Sequence, residues 1–327
     1  MNRKKKHIIV LVCLIIILIS ILLVFLIDNG EDSHSVDYQE SNQKNTVEYG
    51  GKIYEYNDHL SNYLFMGIDT REQAEENQLR SENGRADAIY LLSYDRVKKT
   101  VKAIAVPRDT MANIRAYSAD STDLGLIEDH INMQYMYGDG KDKSCRLMME
   151  AVSTIFYGIP IQGYCALNMD GIPEAVGAIG SIEVVVPNDS LETVGLQYKE
   201  GTQVTITEEN AETFVRYRDI NIAQSAIARM ERQKVFMEAF VESAKMKSSQ
   251  DKNFVVNIFD SMKPHMTTNM GNDIFAKLLS ANYDSDHKIQ DVPGEKVDGI
   301  KFDEYHINEA QLYEMVLQTF YKEVQDD

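Results

Sequence analysis

The chain has 327 residues, of which 33 are lysine or arginine and 51 are aspartate or glutamate, so the formal net charge is −18 at pH 7. Apolar residues make up 44 % and charged residues 26 %, a balance that excludes a mostly disordered protein. Three cysteines are too few for a disulfide scaffold, and the acidic charge excludes a general nucleic-acid binder, which needs a basic surface.

The first 27 residues are basic and then apolar. Arg3 and three lysines precede residues 8–27, which are almost wholly apolar. A helix of that length spans roughly 30 Å, about one bilayer core, and the basic flank predicts a cytoplasmic N-terminus. A polar, acidic stretch without a small-residue cleavage site follows, which favours an uncleaved anchor over a signal peptide. We predict a cytoplasmic stub and transmembrane anchor at residues 1–27 and an extracytoplasmic linker at residues 28–59.

The folded part begins with apolar runs rich in strand-forming residues. A polar stretch at residues 95–100 joins two of these runs, which predicts an antiparallel hairpin. The mixture of strand and helix patterns indicates an α/β fold, with residues 60–247 as its main domain. Strands are predicted at residues 62–68, 88–94, 101–106, 161–167 and 182–186. Helices are predicted at residues 144–157, 171–178, 207–217 and 224–247.

After residue 248 the sequence patterns that indicate strands and helices become weaker. Helical spacing recurs at residues 254–262, 272–280 and 308–324. We therefore expect residues 248–327 to form a helical portion that packs on the main domain or continues it.

Cys145 and Cys165 lie in the predicted outside domain. The oxidising conditions outside the cell permit a disulfide between them. The favoured alternative is that both are small buried apolar residues.

The predicted hairpin places charged residues together. Arg85 and Asp87 lie just before its first strand, and Arg108 and Asp109 lie just after its second. Because a hairpin brings those ends together, the four residues should share one edge of the sheet. Asp69 ends another strand, and strand ends are where α/β proteins build sites.

More arginines precede or lie on the long predicted helix, in a region (residues 28–327) whose net charge is −22. Arg229, Arg232 and Gln233 share a face of that helix by their i, i+3, i+4 spacing. Arg216 and Arg218 precede it. Two explanations are open: an ion-pair network with the neighbouring aspartates, or a phosphate site, since the guanidinium group matches phosphate oxygens. Asp69 and Asp87 could then hold Mg²⁺, which takes one or two carboxylates plus phosphate oxygens.

The order of the motifs resembles the LytR-CpsA-Psr family of bacterial cell-envelope proteins over about residues 60–245. The pattern is PRDT preceded by GRxD and followed by RxR and RxxRQ. The matching segments are GIDTR (67–71), GRADAIYLLS (84–93), VPRDT (106–110), HINMQYMYG (130–138), NMDGIPEAVGAIGSIEVVVP (168–187), FVRYRD (214–219) and ARMERQ (228–233).

The resemblance implies an α/β/α sandwich with a central mixed sheet, one preceding transmembrane helix and an apolar tunnel for a polyprenyl chain. It implies a Mg²⁺-dependent phosphotransferase that moves a glycopolymer, such as teichoic acid or capsule, from a polyprenyl-pyrophosphate carrier to peptidoglycan. The implied location is the bacterial cell membrane, single-pass, with the main domain outside and no nucleic-acid partner. Alternatives are a polyprenyl-pyrophosphate hydrolase and a non-catalytic regulator that binds lipid-linked precursors.

The resemblance also implies roles for individual residues. Asp69 and Asp87 would be the Mg²⁺ ligands, and Asp109 would orient Arg108 at the catalytic centre. His130 stands where the family commonly has lysine, whereas Ala86 and Ala88 stand where it often has hydroxyl residues. The pyrophosphate would be held by Arg85, Arg108, Arg216, Arg218, Arg229, Arg232 and Gln233.

Overall fold

The computed structural model describes residues 46–71, 82–219, 225–283, 289–299 and 302–324. The predicted anchor and the first part of the predicted linker, residues 28–45, lie outside the described residues. Within the described ranges, no helix is both long enough and apolar enough to cross a membrane.

The described chain begins with seven strands, and helices and further strands follow. The strands are β1 (Thr46–Tyr49), β2 (Lys52–Tyr56), β3 (Leu60–Ile68), β4 (Ala86–Asp95), β5 (Thr100–Ala105), β6 (Met111–Tyr117), β7 (Asp123–His130), β8 (Gly163–Leu167), β9 (Ile182–Val185), β10 (Gln203–Ile206), β11 (Met266–Thr268), β12 (Asn282–Tyr283), β13 (Gln290–Asp291), β14 (Gly294–Asp298), β15 (Asp303–Ile307) and β16 (Tyr321–Glu323). The α-helices are α1 (Asp142–Ile155), α2 (Gly171–Ile179), α3 (Ala211–Arg216), α4 (Ser225–Gln250), α5 (Phe254–Met262), α6 (Asn272–Ser280) and α7 (Glu309–Phe320).

A mixed sheet lies at the centre, with strand order β11-β8-β3-β4-β5 and with β12 and β13 both paired to the outer edge of β5. β3 and β8 are parallel, whereas β4 is antiparallel to both of its neighbours, β3 and β5. The predicted α/β fold with a central mixed sheet, and the predicted hairpin of β4 and β5, are confirmed.

Helices pack on both faces of this sheet because side chains alternate along each strand. On β3, Leu64 and Met66 belong to the core formed with α1 and α7. Tyr63, on the opposite face, belongs to the core formed with α5 and α6, and Phe65 packs against that core. The charged ends of the strands therefore lie at the edge of a layer that is apolar on both sides.

The two cysteines of the described chain are free and buried, which confirms the favoured alternative. Burial raises the pKa of the Cys165 thiol to about 12. Burial also raises the pKa of Cys145, so both thiols stay protonated and behave as small apolar groups.

The C-terminal portion contains more strand than the sequence pattern predicts. The helices α5 and α6 have the predicted bounds, and α7 ends earlier than predicted. Between these helices, β11, β12 and β13 add to the central sheet, and β14 pairs with β15 in a separate antiparallel hairpin. Strands of two to five residues are too short to show a period-two pattern, which explains why the sequence signal misses them.

The described end of the predicted linker is also structured. β1 and β2 form a hairpin around Gly50 and Gly51, and β2 pairs on its other edge with β16. Their side chains are largely exposed, so the sequence shows a polar stretch although the backbone is paired.

Candidate active site

Asp69 and Arg85 meet at the sheet edge where β3 ends and β4 begins. The backbone N–H of Asp69 donates to the carbonyl of Arg85 at 3.1 Å, and the Arg85 guanidinium lies 3.5 Å from the Asp69 carboxylate. The backbone N–H of Arg85 also donates to Asp69 Oδ1. Gly84 makes this approach possible, because its φ is +77° and a Cβ there would lie 2.4 Å from Thr70.

Arg108 is the centre of the cluster. Its Nη1 donates to Asp87 Oδ1, and its Nε donates to Asp109 Oδ1 at 3.1 Å. Burial lowers the pKa of Arg108, but the carboxylates of Asp87 and Asp109 outweigh burial, so the pKa lies above its ordinary value. The hairpin therefore unites Asp87, Arg108 and Asp109 as predicted, with Asp109 orienting Arg108.

Arg229 reaches the same centre from α4. Its Nη1 lies 3.3 Å from Asp87 Oδ2, while its Nε is buried and has no hydrogen-bond partner among the described residues. Burial is the main cause that lowers the pKa of Arg229, and the charges of Arg108 and Arg218 lower it further. The cluster therefore holds a buried cation that its own carboxylates satisfy only in part, and an added anion would complete its hydrogen bonds.

We expect Arg229→Met to raise the free energy of unfolding by about 1 kcal/mol, because it removes a poorly satisfied buried charge and keeps an apolar side chain of similar length. The same variant should bind inorganic pyrophosphate at least tenfold more weakly. Urea unfolding and isothermal titration calorimetry measure the two effects. A fall in stability with unchanged binding would show that Arg229 serves the fold alone.

Arg216, Arg218 and Gln233 surround this centre. Arg216 pairs with Glu212, which also binds Arg71 at 2.7 Å. Gln233 donates to the carbonyl of Val215 at 3.1 Å, which ties α4 to the end of α3.

Arg218 lies close enough to Arg229 for their charges to interact, and side chains of the described residues bind it. Its Nε donates to Ser225 Oγ at 2.9 Å, and its Nη2 lies 3.7 Å from the carboxylate of Asp303. This long ion pair leaves the guanidinium able to bind a further anion.

Arg232 does not join the cluster. Its side chain is fully buried and donates to the carbonyls of Phe214 and Tyr217 and to Ser190 Oγ. Burial lowers the pKa of Arg232 to about 10, and the charge of Arg229 adds to this effect. The structure thus places Arg232 where it fixes the backbone at the C-terminal end of α3 and just after it, the segment that carries Arg216 and Arg218.

A large apolar cavity opens at this centre, with a volume of about 370 Å³. Its wall is formed by side chains of α4, α5 and α6 and of the strands β3 and β8. Charged and polar groups lie at one part of the wall: Asp69, Asp87, Arg216, Arg229 and Gln233. An amphiphile with an anionic head and an apolar tail matches this distribution.

Asp69 and Asp87 suit a hard divalent cation. Both are carboxylates that line the same cavity, and Mg²⁺ prefers one or two carboxylates with phosphate oxygens and water as its other ligands. In the described residues, no group of three or more His, Cys, Asp or Glu could hold a metal ion. The donor set therefore fits Mg²⁺ that enters with a phosphate-bearing substrate.

Several residues at the site are not predicted by the sequence analysis. Glu212 and Ser225 bind arginines of the cluster, and Asp303, Lys296 and Tyr305 reach it from β14 and β15. The C-terminal three lie near VPGE (residues 292–295), a short segment that only weakly resembles the C-terminal part of the LytR-CpsA-Psr family. No local pattern marks the others, because tertiary contacts alone bring them to the site.

Fold and site together define an α/β protein with an arginine- and aspartate-rich anion site beside an apolar cavity. The family model of the LytR_cpsA_psr family matches residues 23–324. The chain therefore belongs to that family, which confirms the resemblance seen in its motifs.

Curated relatives carry the names of transferases. The chain is 27 % identical over 186 residues to the polyisoprenyl-teichoic acid–peptidoglycan teichoic acid transferase TagU of Halalkalibacterium halodurans, covering 57 % of this chain and 54 % of the relative. It is 27 % identical over 215 residues to TagV of Bacillus subtilis, which has the same transferase name, covering 63 % of this chain and 49 % of the relative. The chain thus spans about half the length of these relatives.

Solved structures share the fold. The crystal structure of B. subtilis TagV has a TM-score of 0.59 at 23 % identity and covers 80 % of this chain and 96 % of that chain. The structure of TagT bound to LI-WTA has a TM-score of 0.58 at 19 % identity and covers 80 % and 90 %.

Proposed function

We propose that this protein is a membrane-anchored, extracytoplasmic phosphotransferase that moves a glycopolymer from a polyprenyl-pyrophosphate carrier to peptidoglycan. The proposal depends chiefly on Arg229, whose buried Nε has no hydrogen-bond partner among the described residues and whose side chain lines the apolar cavity. An anionic group bound to Arg229 would have an apolar cavity beside it that could hold an attached apolar tail. The transferase names of the relatives support the same reaction class.

In the proposed reaction an acceptor hydroxyl of peptidoglycan forms a bond to the phosphorus that carries the glycopolymer. The bond from that phosphorus to the bridging oxygen breaks, and polyprenyl phosphate leaves with the electron pair while the hydroxyl proton is released. Arg108 and Arg229 would bind the non-bridging oxygens and stabilise the charge that develops there. Asp109 would keep Arg108 oriented, and Arg216, Arg218 and Gln233 would complete the binding of the pyrophosphate.

Asp69 and Asp87 would hold Mg²⁺, which supplies charge neutralisation at the pyrophosphate when it is bound. Arg85, paired with Asp69, would contact the pyrophosphate from the same edge of the sheet. Arg232 would act indirectly, by fixing the segment that carries Arg216 and Arg218.

The donor would reach the site from the membrane. The α/β domain would be held near the bilayer by the predicted anchor of residues 1–27, and the polyprenyl tail would pass from the bilayer into the cavity. The apolar lining from α4, α5 and α6 supports this route, since it removes the tail from water.

A variant with a larger side chain in the cavity wall distinguishes binding of the polyprenyl tail from binding of the pyrophosphate head group. Val241→Trp on α4 should weaken binding of a polyprenyl pyrophosphate by at least tenfold, because each displaced methylene costs about 0.8 kcal/mol. Binding of inorganic pyrophosphate, with and without Mg²⁺, should stay within twofold of wild type. Calorimetry on the full-length chain in mild detergent measures both affinities.

Val256→Trp is the matched control, because Val256 is 42 % exposed on α5 and lies outside the cavity wall. It should leave both affinities unchanged. Equal binding of the lipid-linked ligand by wild type and Val241→Trp would disprove the cavity as the site of the tail.

A further inference from the structure

The hairpin of β14 and β15 is fixed to the loop that carries Arg108 and Asp109. The backbone N–H of Tyr305 donates to the carbonyl of Asp109 at 2.8 Å, and Tyr305 also forms a parallel β-bridge with Thr110. The Tyr305 hydroxyl donates to the carbonyl of Val292 at 2.7 Å. Side chains of this hairpin are therefore held in a defined position beside the candidate active site.

A second, smaller pocket lies between this hairpin and the arginine cluster. Asp87 and Arg229 line both this pocket and the apolar cavity, whereas Arg108 lines this pocket and not the cavity. The hairpin contributes Lys296, Glu304 and Tyr305 to the wall. Lys296 is thus a third cation, beside Arg108 and Arg229, in the wall of the smaller pocket, and it does not line the apolar cavity.

Lys296 has a single carboxylate as its ion-pair partner among the described residues. Its side chain is only 12 % exposed, and its Nζ lies 2.7 Å from Asp303 Oδ2. The same oxygen lies 3.7 Å from Arg218 Nη2, so one carboxylate serves two cations. Lys296 and Arg218 therefore already converge on one anion, and the pair with Arg218 is too long for a good hydrogen bond.

The backbone of Asp303 is held independently of its side chain. His130 Nε2 lies 3.0 Å from the carbonyl oxygen of Asp303, and Asp303 pairs with Asp298 in the β14–β15 hairpin. The carboxylate can rotate away from Lys296 without moving the hairpin. Glu304, the carboxylate that this hairpin contributes to the pocket wall, lies 2.8 Å from His306 Nε2, and among the described residues it forms no ion pair with Lys296.

We propose that Lys296 is a phosphate-binding residue of this site, which leaves Asp303 and contacts the pyrophosphate held by Arg108 and Arg229. Asp303 acts as an internal anion that keeps Lys296 and Arg218 in place before the substrate enters. This inference rests on the proposed function and assigns a binding residue from the C-terminal hairpin.

Inorganic pyrophosphate, titrated calorimetrically into the full-length chain in mild detergent, tests the assignment. Lys296→Met should bind about tenfold more weakly, since a charge-assisted hydrogen bond is lost. Lys296→Arg should restore most of the affinity. Asp303→Asn should bind as tightly as wild type or up to tenfold more tightly, because it removes the competing anion and leaves both cations.

A structural role alone makes a different prediction. If Lys296 and Asp303 only hold the hairpin together, both variants lower the melting temperature and both weaken binding. Weaker binding by Lys296→Met together with unchanged or tighter binding by Asp303→Asn therefore supports the proposal, whereas weaker binding by Asp303→Asn would overturn it. Lys277→Met is the control, because Lys277 is an exposed lysine paired with Asp273 on α6.

The failure of this inference differs from the failure of the proposed function. Wild-type affinity in Lys296→Met, together with weak binding by Arg229→Met, would reject Lys296 and keep the pyrophosphate site. No binding of pyrophosphate by the folded wild-type chain, with or without Mg²⁺, would reject both.

Discussion

Replacing Arg108 with alanine is expected to lower the rate of phosphoryl transfer by roughly 10³-fold, near the upper end of what losing one preorganised donor costs. Arg108 donates to both Asp87 and Asp109, so its loss also leaves these two carboxylates without their shared cation. Their negative charge would then repel the phosphate oxygens that Arg108 is proposed to bind. A transfer assay with lipid-linked donor and peptidoglycan fragments measures the effect on kcat and KM.

The separate effects on kcat and KM distinguish loss of transition-state stabilisation from loss of substrate binding. We expect the larger effect on kcat, because charge on the non-bridging oxygens increases toward the transition state. Arg115→Ala is the matched control, since Arg115 forms an exposed ion pair with Asp123 on the β6–β7 hairpin. Transfer by Arg108→Ala at more than a tenth of the wild-type rate would remove Arg108 from the catalytic centre.

Arg232→Met is expected to lower the free energy of unfolding by about 3 kcal/mol. The substitution leaves the carbonyls of Phe214 and Tyr217 and the hydroxyl of Ser190 without their donors in a buried place, and each orphaned group costs about 1–3 kcal/mol. Relief of the desolvation that depresses the pKa of Arg232 offsets part of this loss. Urea-induced unfolding followed by circular dichroism measures the change.

Arg96 offers a matched control for this experiment. It also donates to backbone carbonyls, those of Asp58 and His59, but at an exposed position where water replaces the lost donor. Arg96→Met should cost less than 1 kcal/mol. Equal losses from the two variants would mean that burial does not decide the role of Arg232.

The expected changes in the free energy of unfolding have opposite signs for Arg229→Met and Arg232→Met, a difference that the sequence pattern does not predict. Both lie on α4 three residues apart, and the helical spacing assigns them to one face. In the structure Arg229 reaches Asp87, while its Nε has no hydrogen-bond partner among the described residues. Arg232 donates from all three of its nitrogens, to two backbone carbonyls and to Ser190 Oγ. Three residues separate them by about 60° around the helix, and only the packing of the segment after α3 decides which environment each enters.

The hairpin edge is the part of the site that sequence reasoning predicts well. The meeting of Asp87 with Arg108 follows from chain connectivity, because the residues lie at the open end of β4 and β5. Asp303 and Lys296 have no such local constraint. They arrive through β14 and β15, which pair with each other and are joined to the loop after β5 by the bridge between Thr110 and Tyr305.

The small sheet of β1, β2 and β16 has a consequence for how this protein is made. Tyr54 pairs with Glu323 and Tyr56 with Tyr321, so the sheet joins residues near the two ends of the described chain. Contacts so distant in sequence carry a high loop-closure entropy and form slowly. During synthesis one edge of β2 therefore stays unpaired until β16 has left the ribosome. In a chain truncated before residue 321 that edge stays unpaired and can associate with the strands of other chains.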